Sequence, residues 1–136
     1  VLFYCAKCGG ELTPDLTRLP EVPEADLDHR DRAHHAPPTV PRGSWALVPD
    51  SDDPHAPAVP RAAPGVRLLH PEDAPTLRER SSGANLEGCC GPHGGNGPNL
   101  ACPCGSLVAT LLADCLGPWE VRLHPLRTWA HDPDEG

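Results

Sequence analysis

The chain has 136 residues, a formal net charge of −8 and only 4% aromatic residues. Leu, Val and Phe together make 26 of the 136 residues and Ile is absent, while Pro and Gly number 19 and 13. So thin a core limits the chain to one domain, or one with a long insertion, and calls for a staple such as a metal or disulfides. The acid excess repels phosphate backbones, so nucleic acid is not the expected partner. No apolar run approaches the length of a membrane span, which argues against a membrane partner.

The first residues show no basic stretch followed by an apolar one, so no signal peptide is read and the expected location is the cytoplasm. Thiols there stay reduced and serve as metal ligands or reactive groups. The seven cysteines are an odd number, which suits a pure disulfide framework poorly.

Residues 1–19 read as an N-terminal zinc knuckle. Leu2-Phe3-Tyr4 suggests a strand, Cys5-Ala6-Lys7-Cys8-Gly9-Gly10 a tight turn, and Glu11-Leu12-Thr13 a returning strand. The two-residue spacer lets both sulfurs approach one ion, and amides on the turn can donate to them. No helix pattern follows Cys8, so a thioredoxin-like redox motif is disfavoured.

Residues 20–64 form a Pro-rich acidic insertion with ten prolines and eight acids against four arginines. Each proline removes a donor and biases its predecessor away from helix. Within the insertion, Thr39 to Pro49 (TVPRGSWALVP) carries Val40, Trp45 and Leu47, which can pin it to the body. His29, His34, His35 and His55 read as solvated loop histidines.

Residues 65–129 read as the C-terminal part of the same domain. Gly65 to Leu69 suggests a strand. His70-Pro71-Glu72-Asp73 suggests the start of one short helix, with proline at its first position and acids in its first turn. That helix would bury Leu77 and end at Ser81-Ser82-Gly83. Gly88 to Asn99 is a glycine-rich loop. Cys102-Pro103-Cys104-Gly105 is a second knuckle, followed by the apolar run Leu107 to Leu112. Trp119 to Leu123 alternates as a strand does. Residues 130–136 read as a frayed acidic tail.

Pairing the knuckles gives a tetrahedral site of Cys5, Cys8, Cys102 and Cys104, with zinc as the expected metal. Loop-closure cost rises slowly with length, so a distant pair is affordable once a metal repays it. Two alternatives stay open. Cys89, Cys90, Cys115 and His93 can form a second site, or Cys90, Cys102, Cys104 and Cys115 can form one local site. Cys90 and His93 also resemble a nucleophile with a nearby base, but sequence adjacency does not establish that geometry. No complete catalytic constellation is present.

The stretch GCCGPHGGNGPNLACPCGSLVATLLADC, followed by WEVRLHP, resembles a group of small cysteine-rich actinobacterial proteins. TVPRGSWALVP, LLHPEDAP and FYCAKCGGEL resemble the same group, and residues 50–64 match it least. The resemblance implies no activity and no ligand set. The group more typically has an acid at the position of His93, which weakens His93 as a ligand.

The fold class expected is therefore small, β-rich and irregular, a zinc-ribbon-like domain stabilised by metal. The expected function is a non-enzymatic structural-zinc protein that binds a protein partner, with the 39–49 segment contributing to its surface. The alternative is a thiol-active redox sensor or metal-handling protein using Cys89, Cys90 and Cys115.

Overall fold

Short runs of alternating apolar residues, broken by proline and glycine, favour strands over helices. A computed structural model describes residues 1–23, 36–48, 65–79, 92, 97–113 and 118–132. Among these the strands are β1 (Leu2–Cys5), β2 (Thr17–Arg18), β3 (Ser44–Leu47), β4 (Arg67–Leu69), β5 (Arg78–Glu79), β6 (Leu100–Ala101), β7 (Leu107–Leu112), β8 (Glu120–Leu123) and β9 (Thr128–His131). The small β-rich architecture expected is the one found.

β1 and β9 form a two-stranded antiparallel ribbon, and the other strands form one sheet in the order β2-β3-β4-β8-β7-β6-β5. Among the described strands β2 and β3 are the parallel pair, and an isolated parallel bridge joins Pro38 to Trp119. The middle of the sheet is the β4–β8–β7 trio, where Leu69 lies opposite Val121 and Leu111 opposite the same Val121.

Period-two alternation divides the core. On one face, Trp45, Leu69, Val108, Val121 and Leu123 pack with Phe3, Leu12 and Leu16 from the N-terminal ribbon and its flank. On the other, Val40, Ala46, Val48, Val66 and Leu68 gather beneath Leu19 and Val22. β3 and β4 are thus covered on both sides, consistent with Ser-Trp-Ala-Leu and Arg-Leu-Leu carrying apolar neighbours in succession. The ribbon meets the sheet where Phe3 sits edge-on to Trp45, with ring centroids 5.1 Å apart. Val40, Trp45, Ala46 and Val48 are all buried, so over the described residues 39–48 most of the apolar surface goes into the core and little is left to present to a partner.

Three sequence expectations need correction. The short helix is a single 3-10 turn, Pro71–Asp73. Pro75 lacks an N–H and disfavours helical geometry at Ala74, and Ala74 takes φ −123°, ψ 63°. Arg78–Glu79 then pairs with β6 instead of extending the turn. The returning strand of the first knuckle is only an isolated bridge between Tyr4 and Glu11. The ladder partner of β1 is β9, from the other end of the chain. The tail expected to fray from residue 130 is ordered at its start, because Ala130 and His131 belong to β9. The expected helix stop at Ser81 to Gly83 lies outside the described residues.

Buried polar groups fix the irregular parts. Asp73 is buried and accepts hydrogen bonds from Arg42 Nε at 2.6 Å and the Gly43 amide at 2.8 Å. This ties the turn before β3 to the 3-10 turn. Glu120, also buried, accepts from Thr39 Oγ1 at 2.8 Å and Arg122 Nε at 2.7 Å. Asn99 is fully buried and acts as a substitute strand residue: its amide nitrogen donates to Leu111 O at 3.0 Å and its Oδ1 accepts from the Leu111 amide at 2.7 Å. That pairing sits beside the register shift between β6 and β7. Asn99→Ala leaves the part-buried N–H and C=O of Leu111 without these partners, and urea unfolding should show a loss of about 1–3 kcal/mol.

His70 is buried and caps the 3-10 turn, its Nδ1 accepting the Glu72 amide at 3.0 Å. Its ring lies 5.1 Å from that of Trp119. Burial holds the imidazole pKa below its usual 6.5, outweighing the pull of Asp73 and Glu72 in the other direction. The folded state therefore favours neutral His70. Its contribution is present above pH 6.5 and is lost as pH falls through the lowered folded value. His70→Asn keeps a capping acceptor without this titration, so below pH 6.5 the variant should lose stability less steeply than the wild type in parallel denaturation series.

Candidate metal centre

Each knuckle is shaped by backbone hydrogen bonds before any sulfur is considered. In the first, Cys5 ends β1, its amide donates to Gly10 O at 2.9 Å, and the Gly9 amide donates back to Cys5 O at 2.8 Å. In the second, β6 delivers Cys102, whose amide donates to Ser106 O at 2.9 Å, while the Gly105 amide donates to Cys102 O at 2.8 Å. Gly9 and Gly105 take φ of +74° and +94°, a region that side chains with a Cβ rarely enter.

Gly10 has a different reason to be glycine. Its amide donates to Cys8 Sγ at 3.3 Å, and a Cβ at this position would lie 3.2 Å from that sulfur. Donation of this kind stabilises a thiolate.

The strand pairing brings the knuckles together although they lie far apart in sequence. Thr128 of β9 lies opposite Cys5, and the Ala6 amide donates to Arg127 O at 3.0 Å. The Arg127 guanidinium then reaches Leu107 O at 3.1 Å, just beyond the second knuckle. Thr128 is held in turn by its hydroxyl on His124 O at 2.7 Å and by Arg67 at 3.3 Å.

The result is a cluster of Cys5, Cys8, Cys102 and Cys104 whose sulfurs all lie within 4.8 Å of one another. Cys5 Sγ is 3.7 Å from Cys104 Sγ, and Cys8 Sγ is 3.5 Å from Cys102 Sγ. A tetrahedral ion with Zn–S bonds of about 2.3 Å would set its sulfurs about 3.8 Å apart. The spacing and the all-sulfur donor set therefore fit a tetrahedral thiophilic metal, and the lack of oxygen donors does not suit calcium or magnesium. Cys5 and Cys102 are buried, whereas Cys8 and Cys104 are exposed.

The buried pair titrates in opposite directions. Burial raises the Cys5 thiol, but amide donors at Cys8 and Lys7, together with the Cys104 and Cys102 thiols, more than offset it and bring the pKa down to about 7. Cys102 is pushed up to about 12, chiefly by burial, and its contacts with the Cys8, Cys104 and Cys5 thiols act in the same direction.

The knuckles expected from the sequence are the ones brought together. Cys89, Cys90, His93 and Cys115 lie outside the described residues, as do His29, His34, His35 and His55. Sequence reading expected amides of the turn to donate to the sulfurs, as that of Gly10 does, but missed the bracing by Arg127 and Thr128. Nothing local marks Arg127 or Thr128, because their role follows from β9 pairing with β1.

Comparison with protein-family models, with curated proteins and with solved structures finds no match. The reading of the centre therefore rests on its geometry and donor chemistry. No helix among the described residues is long and apolar enough to cross a membrane.

Metal binding at four thiols must displace the protons they hold, so affinity rises with pH. Metal-loaded protein titrated from pH 8 downward against a chromophoric chelator should release its ion as pH falls.

Proposed function

We propose that this protein is a non-enzymatic module whose four cysteines hold a structural zinc ion in a zinc-ribbon-like arrangement, and that it works in the cytoplasm by binding a protein partner. The observation that carries the metal assignment is the four-sulfur cluster joining Cys5 and Cys8 to Cys102 and Cys104. Zinc is the metal of choice because four thiolates leave it no open position, which suits a structural site better than a catalytic one. The resemblance to small cysteine-rich actinobacterial proteins is consistent with this reading and adds no activity to it.

What supports the binding role is the ribbon's outer surface. Trp129 is 47% exposed and Leu126 is 84% exposed. Trp129 stacks on Tyr4 at 4.9 Å, and His131 lies edge-on to the same Tyr4 at 6.4 Å. Rigid aromatic surface of this kind is characteristic of protein interfaces. It replaces the 39–49 segment, whose apolar residues are largely buried, as the proposed contact surface.

The metal assignment is tested by elemental analysis and thermal unfolding of protein purified without a metal-affinity tag. The expected result is about one zinc held by the cluster. Cys5→Ser and Cys102→Ser should each lose that zinc and several kcal/mol of stability. Full metal content and an unchanged Tm in all four single Cys→Ser variants would refute the assignment.

A further inference from the structure

The four sulfurs are not equivalent, and their differences follow a pattern. The two cross-knuckle sulfur contacts at 3.5 and 3.7 Å each join one exposed cysteine to one buried cysteine. Exposed Cys8 lies 3.5 Å from buried Cys102. Exposed Cys104 lies 3.7 Å from buried Cys5. Each pair therefore offers one sulfur that a small solvent-borne electrophile can reach and a second, shielded sulfur beside it.

We propose that Cys8 and Cys104 are sites of oxidation by hydroperoxides, and that Cys102 and Cys5 resolve them into the cross-knuckle disulfides Cys8–Cys102 and Cys5–Cys104 with release of the metal. The inference rests on the assignment of the cluster as a metal site and adds a regulated state to it. In each pair the exposed thiolate attacks a peroxide oxygen, breaking the O–O bond to give a sulfenic acid and hydroxide. The buried thiolate then attacks the sulfenic sulfur, forming the S–S bond and expelling a second hydroxide. Each pair gives up two electrons and reduces one peroxide. After two turnovers no thiolate remains to hold the divalent ion, and it leaves as the free cation.

The pairing has a structural consequence. The two bridges span 94 and 99 positions of sequence, the same separation that the metal closes. Two long loops remain closed after the metal has gone, so the chain ends stay joined. Bridges within a knuckle would release the metal as well but would let the ends part. Oxidation by the proposed route thus removes the ion and the net negative charge of the metal–thiolate centre while keeping the fold. A thiol reductant reverses it.

Lys7 lies between Cys5 and Cys8, so trypsin separates the first knuckle's two cysteines onto residues 1–7 and 8–18. The experiment uses the full chain loaded with zinc, treated with hydrogen peroxide, with released zinc read by a chromophoric chelator. Disulfides are mapped by tryptic digestion and fragment sequencing under non-reducing conditions, and far-UV circular dichroism follows the fold. The expected result is about one zinc released for about two peroxides consumed. Residues 1–7 should be linked to Cys104, residues 8–18 to Cys102, and the dichroism spectrum retained. Four results would overturn the proposal: a bridge between Cys5 and Cys8, bridges from the cluster to Cys89, Cys90 or Cys115, accumulation of sulfinic acids, or zinc that stays bound. Those results leave the metal assignment standing. A chain that takes up no zinc before peroxide is added refutes that assignment, and the switch with it.

Discussion

The junction of two chain ends at four sulfurs is the constraint around which the remainder of the structure is arranged. β1 and β9 come from opposite ends of the sequence, and among the described strands each has one ladder partner, the other. A two-stranded ribbon is marginal by itself in water. It is held here by Phe3 against Trp45 on one side and by the knuckles at its end. Opening the cluster would leave the hydrogen bonds from Ala6 to Arg127 and from Arg127 to Leu107 as the polar links between ribbon and knuckles. Exposed links of this kind contribute little each.

The thin core explains why such a junction is useful. Large aliphatic side chains are shared between two clusters on either face of β3 and β4, so neither is large. Two core members, Cys5 and Cys102, are themselves metal-ligand candidates. Burial that elsewhere would be supplied by leucine is supplied here by thiols, whose charged form is costly without a cation. A bound divalent metal removes that cost and closes a loop of more than ninety residues in the same event. Buried Asp73, Asn99 and Glu120 do comparable work at the turns, giving otherwise unpaired backbone and side-chain groups a fixed partner. The indole nitrogen of Trp45 is the exception, buried without a hydrogen-bond partner among the described residues.

How far the sequence foretells this depends on whether a feature is local. The knuckles were legible because CxxCG and CPCG carry their own turn chemistry. The alternation from Trp119 to Leu123 marked β8 because it is a local pattern, and the apolar run Leu107 to Leu112 coincides with β7. The first strand was legible too, but its partner was not: a bridge to Glu11 was close in sequence, and the second half of β9 was read as part of a tail. The helix at Pro71 failed for a local reason that was open to view, since Pro75 stands four residues on. The role of the aromatic surface was the least legible. Tyr4 and Trp129 stack only because the strand register places them opposite one another.

The central claim is that one metal ion is held by the sulfurs of both knuckles. X-ray absorption at the zinc edge, on protein purified without an affinity tag, tests it most directly. The account predicts a single shell of four sulfur scatterers at about 2.3 Å, lost to fewer sulfurs in Cys8→Ser and Cys104→Ser. A shell containing nitrogen or oxygen in the wild type, or four sulfurs that persist in both variants, would contradict it.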